Sequence, residues 1–339
     1  MSSAEQLTDP REQPAFAALV ERHRGELQVH CYRMLGSLED AEDLVQETFL
    51  RAWRSRERFG AGGRFSFRAW LYRIATNACL DVLRTRSRRV MPPDVVPAAD
   101  PTVMPSPPAD LPWLQPYPDR LLEQVTAPEE EPGAVVVARE TIELAFIAAV
   151  QHLPPRQRAV LILRDVLGWS AKDTASLLET TVTSANSAVQ RARATLRHRL
   201  GERRTEWRTD SEPSAEEREL LRRYIEAHER ADVDALATLL REDARLTMPP
   251  HPTWFEGRAA ILVASKQGFD PTFGDLRCVP ARANRQPGVA HYLRAPGETQ
   301  FGALAIDVLR IEDGRIAEIT SFVDSECFAA FGLPSVLER

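Results

Sequence analysis

Apolar side chains recur every three or four residues through much of the chain and every second residue near its end. The first spacing covers residues 12–89 and 136–200, within a second domain predicted over 136–204, and returns at residue 216. It predicts amphipathic helices with one buried face. The second spacing covers residues 303–311 and 315–323, on either side of Asp313 and Gly314, and predicts a β-hairpin. The chain is therefore predicted to fold as two all-α domains followed by a mixed domain over residues 216–337.

Residues 90–135 interrupt the helical pattern and are predicted to form an extended, Pro-rich linker. Residues 90–133 hold twelve of the 25 prolines and eight acidic residues against the single Arg120. The centre of the linker is more apolar, and its side chains Trp113, Leu114 and Tyr117 are predicted to anchor onto a surface. The alternative is local stickiness in a disordered segment.

Composition narrows the class of protein. A chain of 339 residues with 43% hydrophobic residues can form several cores, and its net charge of −6 excludes a uniformly basic protein. The four cysteines never form a Cys-x-x-Cys pair, so neither a metal site nor a disulfide framework is indicated, and no cofactor is predicted. No apolar run approaches the ~18 residues of a membrane span, which predicts a soluble, cytoplasmic protein without a membrane partner.

The segment from Glu39 to Arg54 changes charge halfway along. Five carboxylates come first, and residues 51–89 then hold eleven arginines against two acids. A helix here places one set of side chains on its outer face, which we call the acidic ridge: Asp40, Asp43, Gln46, Glu47 and Leu50. The ridge is either a solvated face whose acids favour the positive end of the helix dipole, or a docking surface for a protein partner.

The next basic helix begins near Phe67. Its predicted outward face carries Arg68, Arg73, Asn77, Asp81 and Arg84, and it follows a glycine-rich loop at residues 60–63. Phe65 and Phe67 stand at the edge of that loop, and aromatic side chains beside arginines suit the unstacked bases of single-stranded DNA. The alternative is that the aromatic residues belong to the core.

Residues 169–193 have the proportions of a helix-turn-helix. Ser170 followed by Asp173 resembles a capping box, and a tight turn is predicted near residues 179–182. The second helix then buries an apolar stripe and exposes side chains that are able to read the major groove, namely Ser184, Asn186, Ser187, Gln190 and Arg191. A plain helical packing unit is the alternative, and the arginines from Arg191 to Arg204 favour DNA.

Three motifs in order, D-A-E-D-L-V-Q-E-T-F-L-R-A-W-R, W-L-Y-R-I-A-T-N-A-C-L-D and L-P-P-R-Q-R-A-V-L-I-L-R-D-V-L-G-W-S, resemble the extracytoplasmic-function (ECF) group of sigma-70 transcription initiation factors. The resemblance spans residues 15–200. It implies that the acidic ridge binds the β′ clamp helices of core RNA polymerase, that the factor also contacts the β subunit, and that residues 184–191 read the −35 promoter element. By the same resemblance Asn77 and Asp81 face the −10 strand, and with the basic and aromatic side chains named above the predicted −10 contacts are Phe65, Phe67, Arg68, Arg73, Asn77, Asp81 and Arg84. The turn lacks the glycine usual in this group and has Glu179-Thr180-Thr181 instead.

Residues 216–337 resemble a SnoaL-like, ketosteroid-isomerase-like α+β cone, which we call the cone. The resemblance implies an apolar pocket, with Met248, His251, Trp254, Phe255 and Tyr292 as candidate lining residues. No catalytic residue is predicted, because the spacing of Tyr224, Asp243 and His251 singles out no acid-base pair. We expect a non-enzymatic sigma factor that binds promoter DNA and is regulated in cis by the cone, through a small-molecule ligand where one is bound. The alternative is a DNA-sensing protein whose cone is a small-molecule enzyme.

Overall fold

The computed structural model describes residues 13–62, 66–123, 142–200 and 213–338. The chain divides into two units. The helical unit comprises Met1–Arg89 and Leu121–Arg208, and the cone unit comprises Val90–Arg120 and Thr209–Arg339. The short helix α5 (Asp119–Glu123) crosses the boundary between them in the sequence.

The first half of the helical unit contains α1 (Gln13–Glu21), α2 (Arg24–Leu35), α3 (Leu38–Gly62) and α4 (Phe67–Thr85). Helix α2 provides much of the core, because nine of its twelve residues are buried. It ends at Gly36, whose φ of 71° lets its N–H donate to the carbonyl of Tyr32. Ser66 caps α4 by accepting a hydrogen bond from the backbone N–H of Ala69 at 3.2 Å.

The second half contains α6 (Leu144–Gln151), α7 (Pro155–Leu161), α8 (Ala171–Leu177) and α9 (Val182–Leu200), and α7 continues into a π-helical turn, Ile162–Val166. Ser170 caps α8, since its hydroxyl accepts from the Asp173 N–H at 3.0 Å, but the predicted capping box is only half formed, because the Asp173 carboxylate accepts from the Ser170 hydroxyl instead of the Ser170 N–H. The predicted turn is confirmed, and Glu179 adopts a left-handed φ of 50° where a glycine would be less strained. Helices α8 and α9 thus form the helix-turn-helix.

The two halves pack against each other within the helical unit. Arg158 on α7 is buried, and its guanidinium donates to the carbonyl of Met34 on α2 and to the side-chain oxygen of Gln151 at 2.7 Å. Burial lowers the pKa of Arg158 to about 10, yet the group stays charged at neutral pH. The rings of Tyr72 on α4 and Trp169 lie 5.6 Å apart between centroids.

The cone combines helices α10 (Ala215–Glu229), α11 (Val233–Leu239), α12 (Arg258–Gly268) and α13 (Cys327–Ala330) with strands β1 (Leu240–Thr247), β2 (Trp254–Glu256), β3 (Asp275–Ala283), β4 (Gln286–Arg294), β5 (Phe301–Glu312), β6 (Arg315–Phe322) and β7 (Val336–Leu337). The sheet order is β2-β1-β6-β5-β4-β3, with β7 paired to β5, and only β1 and β6 run parallel. The predicted hairpin is confirmed, because Glu312 pairs with Arg315 across Asp313 and Gly314, which both have positive φ.

The predicted anchoring of the linker is confirmed, and the surface that it anchors to is the cone. Trp113, Leu114 and Tyr117 are buried. The Tyr117 N–H donates to Asn284 Oδ1 at 2.7 Å, and the Asn284 N–H donates to the Tyr117 carbonyl at 2.8 Å. Residues 90–120 are therefore an integral layer of the cone unit instead of a free spacer.

Candidate functional site

The acidic ridge on α3 is partly free and partly engaged. Asp43, Gln46 and Leu50 are exposed, and Leu50 leaves 52% of its surface open to solvent. Glu47 accepts a hydrogen bond from Arg51 at 2.7 Å. Leu50 thus places an apolar side chain among exposed polar ones, and a single exposed leucine is equally common on an ordinary solvated face.

Asp40, at the start of the ridge, is less available than the sequence predicted. Its carboxylate pairs with Arg86 at 2.5 Å and with Arg89, and 16% of its side chain is exposed. Burial alone would raise the pKa of Asp40, but the two guanidinium groups outweigh burial and lower it. Asp40 therefore fixes the end of α4 and the residues after it against α3.

The predicted −10 surface on α4 is reduced to fewer free side chains. Asn77 and Arg84 are exposed, whereas Asp81 pairs with Arg84 at 2.9 Å and with Arg51 at 3.2 Å. Arg73 forms an ion pair with Glu179, in the turn of the helix-turn-helix. The open part of this surface is the end of α4 around Asn77, Asp81 and Arg84.

Two of the expected −10 side chains face inward. Phe67 is buried and contacts the ring of Phe59 at a centroid distance of 5.4 Å, so the prediction that it stands at an exposed loop edge is wrong. Arg68 donates to Glu26 at 2.8 Å and lies over Tyr72, because the buried carboxylate of Glu26 needs a cation nearby. Phe65 lies outside the described residues.

Helix α9 has the two faces that the sequence predicted. Its stripe of small and aliphatic side chains is buried: Ala185, Ala188, Val189, Ala192 and Leu196. Its predicted reading residues are all exposed: Ser184, Asn186, Ser187, Gln190 and Arg191. Arg193, in contrast, is held by Asp165 through bonds of 2.8 and 2.7 Å, so its charge is neutralised before any DNA is bound.

The cone contains a half-open cavity of about 340 Å³ between its helices and the sheet. Met248 and Phe255 line it as predicted, but three other candidate lining residues do not. The Trp254 Nε1–H donates to the Val96 carbonyl at 2.9 Å, and His251 Nδ1 donates to the Ser106 carbonyl at 2.7 Å, so both hold the linker. Tyr292 packs against Phe328 in a separate core cluster.

The polar end of the cavity is a buried network that the sequence did not reveal. The Tyr224 hydroxyl donates to Asp307 Oδ2 at 2.7 Å, and His291 Nε2 donates to the same oxygen at 2.8 Å. The other His291 nitrogen, Nδ1, lies 3.3 Å from the Cys278 sulfur. Tyr224 and His228 lie one turn apart on α10, and this spacing was the one sign of the network in the sequence. Their partners come from β3, β4 and β5, which the sequence alone does not place beside α10.

Charge in this network is set by burial and by the carboxylate. Burial would lower the pKa of His291, but the adjacent Asp307 carboxylate and its hydrogen bond raise it to about 10. Burial and the nearby His291 cation instead lower the pKa of His228 to about 4. The network at neutral pH is therefore a His291–Asp307 ion pair beside a neutral His228.

Family comparisons agree with the division of the chain. The model of sigma-70 region 2 matches residues 19–89, that of sigma-70 region 4 matches residues 143–196, and that of the SnoaL-like domain matches residues 221–319. None of the helices in the described ranges has both the length and the apolar content needed to cross a membrane.

Relatives that match most of the chain are found in Mycobacterium tuberculosis. The ECF RNA polymerase sigma factor SigG of strain CDC 1551 / Oshkosh is 42% identical over 95% of this chain and 85% of its own length. SigJ of strain H37Rv is 24% identical over 91% of both chains. The crystal structure of SigJ covers 94% of this chain and 100% of its own, with a TM-score of 0.59 at 18% identity, and so shares its fold. With the helix-turn-helix, the region 2 helices and the cone all accounted for along one chain, the protein belongs to the ECF family of sigma-70 factors that carry a C-terminal SnoaL-like domain.

Proposed function

We propose that the chain binds core RNA polymerase in the cytoplasm and directs it to specific promoters, with the cone controlling this activity in cis. The observation that carries the first part is the face of α9, where the five predicted reading residues are exposed and the opposite stripe is buried. A recognition helix needs this arrangement, because its outer side chains must reach base edges while its inner ones hold it on the domain. On this proposal α9 reads the −35 element.

The proposed polymerase contact is the free part of the acidic ridge. Asp43, Gln46 and Leu50 offer an anionic surface with an apolar centre, which suits a basic partner surface that also presents apolar side chains. The family resemblance identifies that partner as the β′ clamp helices, with a further contact on the β subunit. Asp40 contributes by holding Arg86 and Arg89 in place and not by direct contact.

The proposed −10 contact lies at Asn77, Asp81 and Arg84. These side chains form the open end of α4, and Arg84 and the exposed arginines that follow supply charge for the phosphates. Arg73 joins the surface once its ion pair with Glu179 is broken.

Control in cis is supported by the position of the linker. Residues 90–120 connect the two halves of the helical unit in the sequence, yet they pack on the cone through buried Trp113, Leu114 and Tyr117. A cone that holds this segment limits the positions that the two halves are able to take.

One experiment tests both parts of the proposal. Transcription from genomic fragments is measured with core polymerase and equal amounts of the full chain or a chain ending at residue 212. Promoter-specific transcripts from either form support the sigma activity, and a change of at least several-fold between the forms supports control by the cone. No transcript together with no binding to core polymerase would favour the alternative of a DNA-sensing protein with an enzymatic cone, since such a protein does not need the polymerase.

A further inference from the structure

The cavity of the cone has the size and walls of a small-molecule site. Its volume of about 340 Å³ lies at the lower end of the range typical for ligand pockets, roughly 300–1,000 Å³. Apolar side chains from strands, from a helix and from the turn after that helix form the walls, including Leu246, Phe255, Ile261 and Phe269. A space with such walls favours an apolar occupant, because binding removes apolar surface from water.

The buried end of this cavity offers hydrogen-bond acceptors. His228 Nδ1 lies 2.9 Å from the Tyr224 carbonyl, and because a carbonyl only accepts, Nδ1 carries the proton. The other nitrogen of the neutral ring, Nε2, therefore has a lone pair, and it makes no hydrogen bond within the described chain. Asp307 Oδ1 is buried and lacks a partner within hydrogen-bond distance, although Ser321 lies near the carboxylate and helps to lower its pKa.

Two strong donors at the same end are already used. The Tyr224 hydroxyl and His291 Nε2 both donate to Asp307 Oδ2, and His291 Nδ1 faces the Cys278 sulfur. An unsatisfied buried acceptor costs about 1–3 kcal/mol, so a ligand that supplies a donor is favoured there over a purely apolar one.

The linker completes the mouth of the cavity. Val103, Met104 and Pro105 line it, and Val103 and Met104 remain 61% and 60% exposed. The segment is held on both sides: the Ala99 N–H donates to the Trp254 carbonyl at 2.9 Å, and the Ala109 N–H donates to the Pro250 carbonyl at 3.0 Å. A molecule in the cavity would cover apolar surface that these two side chains now expose.

We propose that the cone binds one apolar small molecule that carries a hydroxyl or amino group, which donates to Asp307 Oδ1 or His228 Nε2 while Val103 and Met104 close over its apolar body. A divalent metal ion is the competing occupant, since ligand atoms of His228, His291 and Asp307 lie within 4.8 Å of one another. The metal is disfavoured because His291 Nε2 would have to give up the proton that it donates to Asp307, and because the remaining walls are apolar.

Occupancy has a regulatory consequence that rests on the function proposed above. A bound molecule that contacts Val103 and Met104 stabilises the linker on the cone, and an empty cavity leaves that contact unmade. The ligand is then the signal that the cone converts into a change in promoter-directed transcription.

The binding test uses the full chain and two probes of matched shape, 2-naphthol and 2-methoxynaphthalene, in titration calorimetry. The first probe donates a hydrogen bond and the second does not. We expect 2-naphthol to bind at least tenfold more tightly. In His228→Phe this advantage should fall several-fold while 2-methoxynaphthalene still binds, which also shows that the variant is folded.

The contribution of the linker is tested with a matched pair of variants. Met104→Ala should weaken 2-naphthol binding several-fold, whereas Val95→Ala, at an exposed linker side chain outside the cavity, should leave it unchanged. Bound 2-naphthol should also slow hydrogen exchange at the Ser106 and Ala109 amides.

Equal affinity for the two probes, no binding of either one, or stoichiometric Zn²⁺ binding that excludes 2-naphthol would each overturn the proposed site. None of these measurements involves polymerase. Their failure is therefore distinguishable from a failure of the chain to support transcription.

Discussion

At the scale of single residues, the buried ion pair of His291 and Asp307 makes the stability of the cone depend on pH. The pKa of His291 is raised to about 10 in the folded chain, against about 6.5 in an unfolded one. The stabilisation is therefore complete below pH 6.5 and is lost as the pH rises towards 10, at no more than about 1.4 kcal/mol per pH unit. We expect the unfolding free energy of the cone to fall between pH 7 and pH 9, as measured by hydrogen exchange of β4 and β5 amides. His291→Gln should remove this slope, and an equal slope in the variant would contradict the assignment.

Asp43 provides a test of the acidic ridge at the same scale. Asp43→Arg reverses an exposed charge that makes no ion pair among the described residues, so the fold should be unaffected. We expect its affinity for core polymerase to fall at least fivefold, or about 1 kcal/mol, with a smaller loss at high salt. Glu57→Arg, at an exposed position on α3 outside the ridge, is the control. Equal affinities of the two variants in a binding assay would leave the ridge as an ordinary solvated face.

Single residues also show where prediction from the sequence stopped. The exposed and buried sides of α9 were predicted correctly, because a period near 3.6 fixes which side chains share a face. Tyr292 was placed in the pocket wrongly, and its neighbour His291 was missed. Adjacent residues on a strand point to opposite faces of the sheet, so only the packing of α10 against β4 and β5 decides which one meets the cavity. Phe67 was assigned wrongly for a different reason. An aromatic residue at the start of a helix is consistent with either a core position or an exposed edge.

At the scale of secondary-structure elements, the role proposed for α9 assigns base reading and phosphate binding to different side chains. Gln190→Ala should change the preferred −35 sequence, with a loss of about 1–3 kcal/mol at the base pair that it reads. Arg197→Ala should instead weaken binding to all sequences alike and reduce the salt dependence, because it removes a phosphate contact. A selection from randomised −35 DNA measures both effects. The assignment of α9 is wrong if Gln190→Ala leaves the sequence profile unshifted.

The turn between β3 and β4 is the element that fastens the linker. Asn284 has a left-handed φ of 55°, so Asn284→Gly keeps the turn but removes the oxygen that accepts the Tyr117 N–H. This leaves a buried N–H unsatisfied, at a cost of about 1–3 kcal/mol. We expect exchange of the Tyr117 amide to accelerate at least tenfold, whereas Asn284→Asp, which retains an acceptor, should resemble the parent chain. Unchanged exchange in Asn284→Gly would show that the burial of Tyr117 alone fixes the linker.

At the scale of the whole molecule, the contacts between the two halves of the helical unit bear on the proposed binding to two promoter elements. The names of the −35 and −10 elements place them about 25 base pairs apart, or ~85 Å at a rise of ~3.4 Å per base pair. In the structure, α4 and the turn before α9 are joined by the Arg73–Glu179 ion pair, and Arg158 bonds to the carbonyl of Met34. On the proposed function, the two halves would therefore have to separate before both elements are bound at once, and the linker that joins them would have to change its path.

Reversible cross-linking of the two halves tests this opening. The substitutions Arg73→Cys and Glu179→Cys place thiols where the ion pair stood, and a short reagent with a cleavable disulfide joins them. Cys327→Ser removes the one native cysteine that is not buried, and the other three are buried. We expect the cross-linked factor to lose most of its promoter-directed transcription and to regain it on reduction. Chains with either cysteine alone, treated in the same way, control for modification of the −10 surface at residue 73. Full transcription by the cross-linked factor would mean that the closed helical unit is itself the active form, and control by the cone would then have to act on something other than the separation of the two halves.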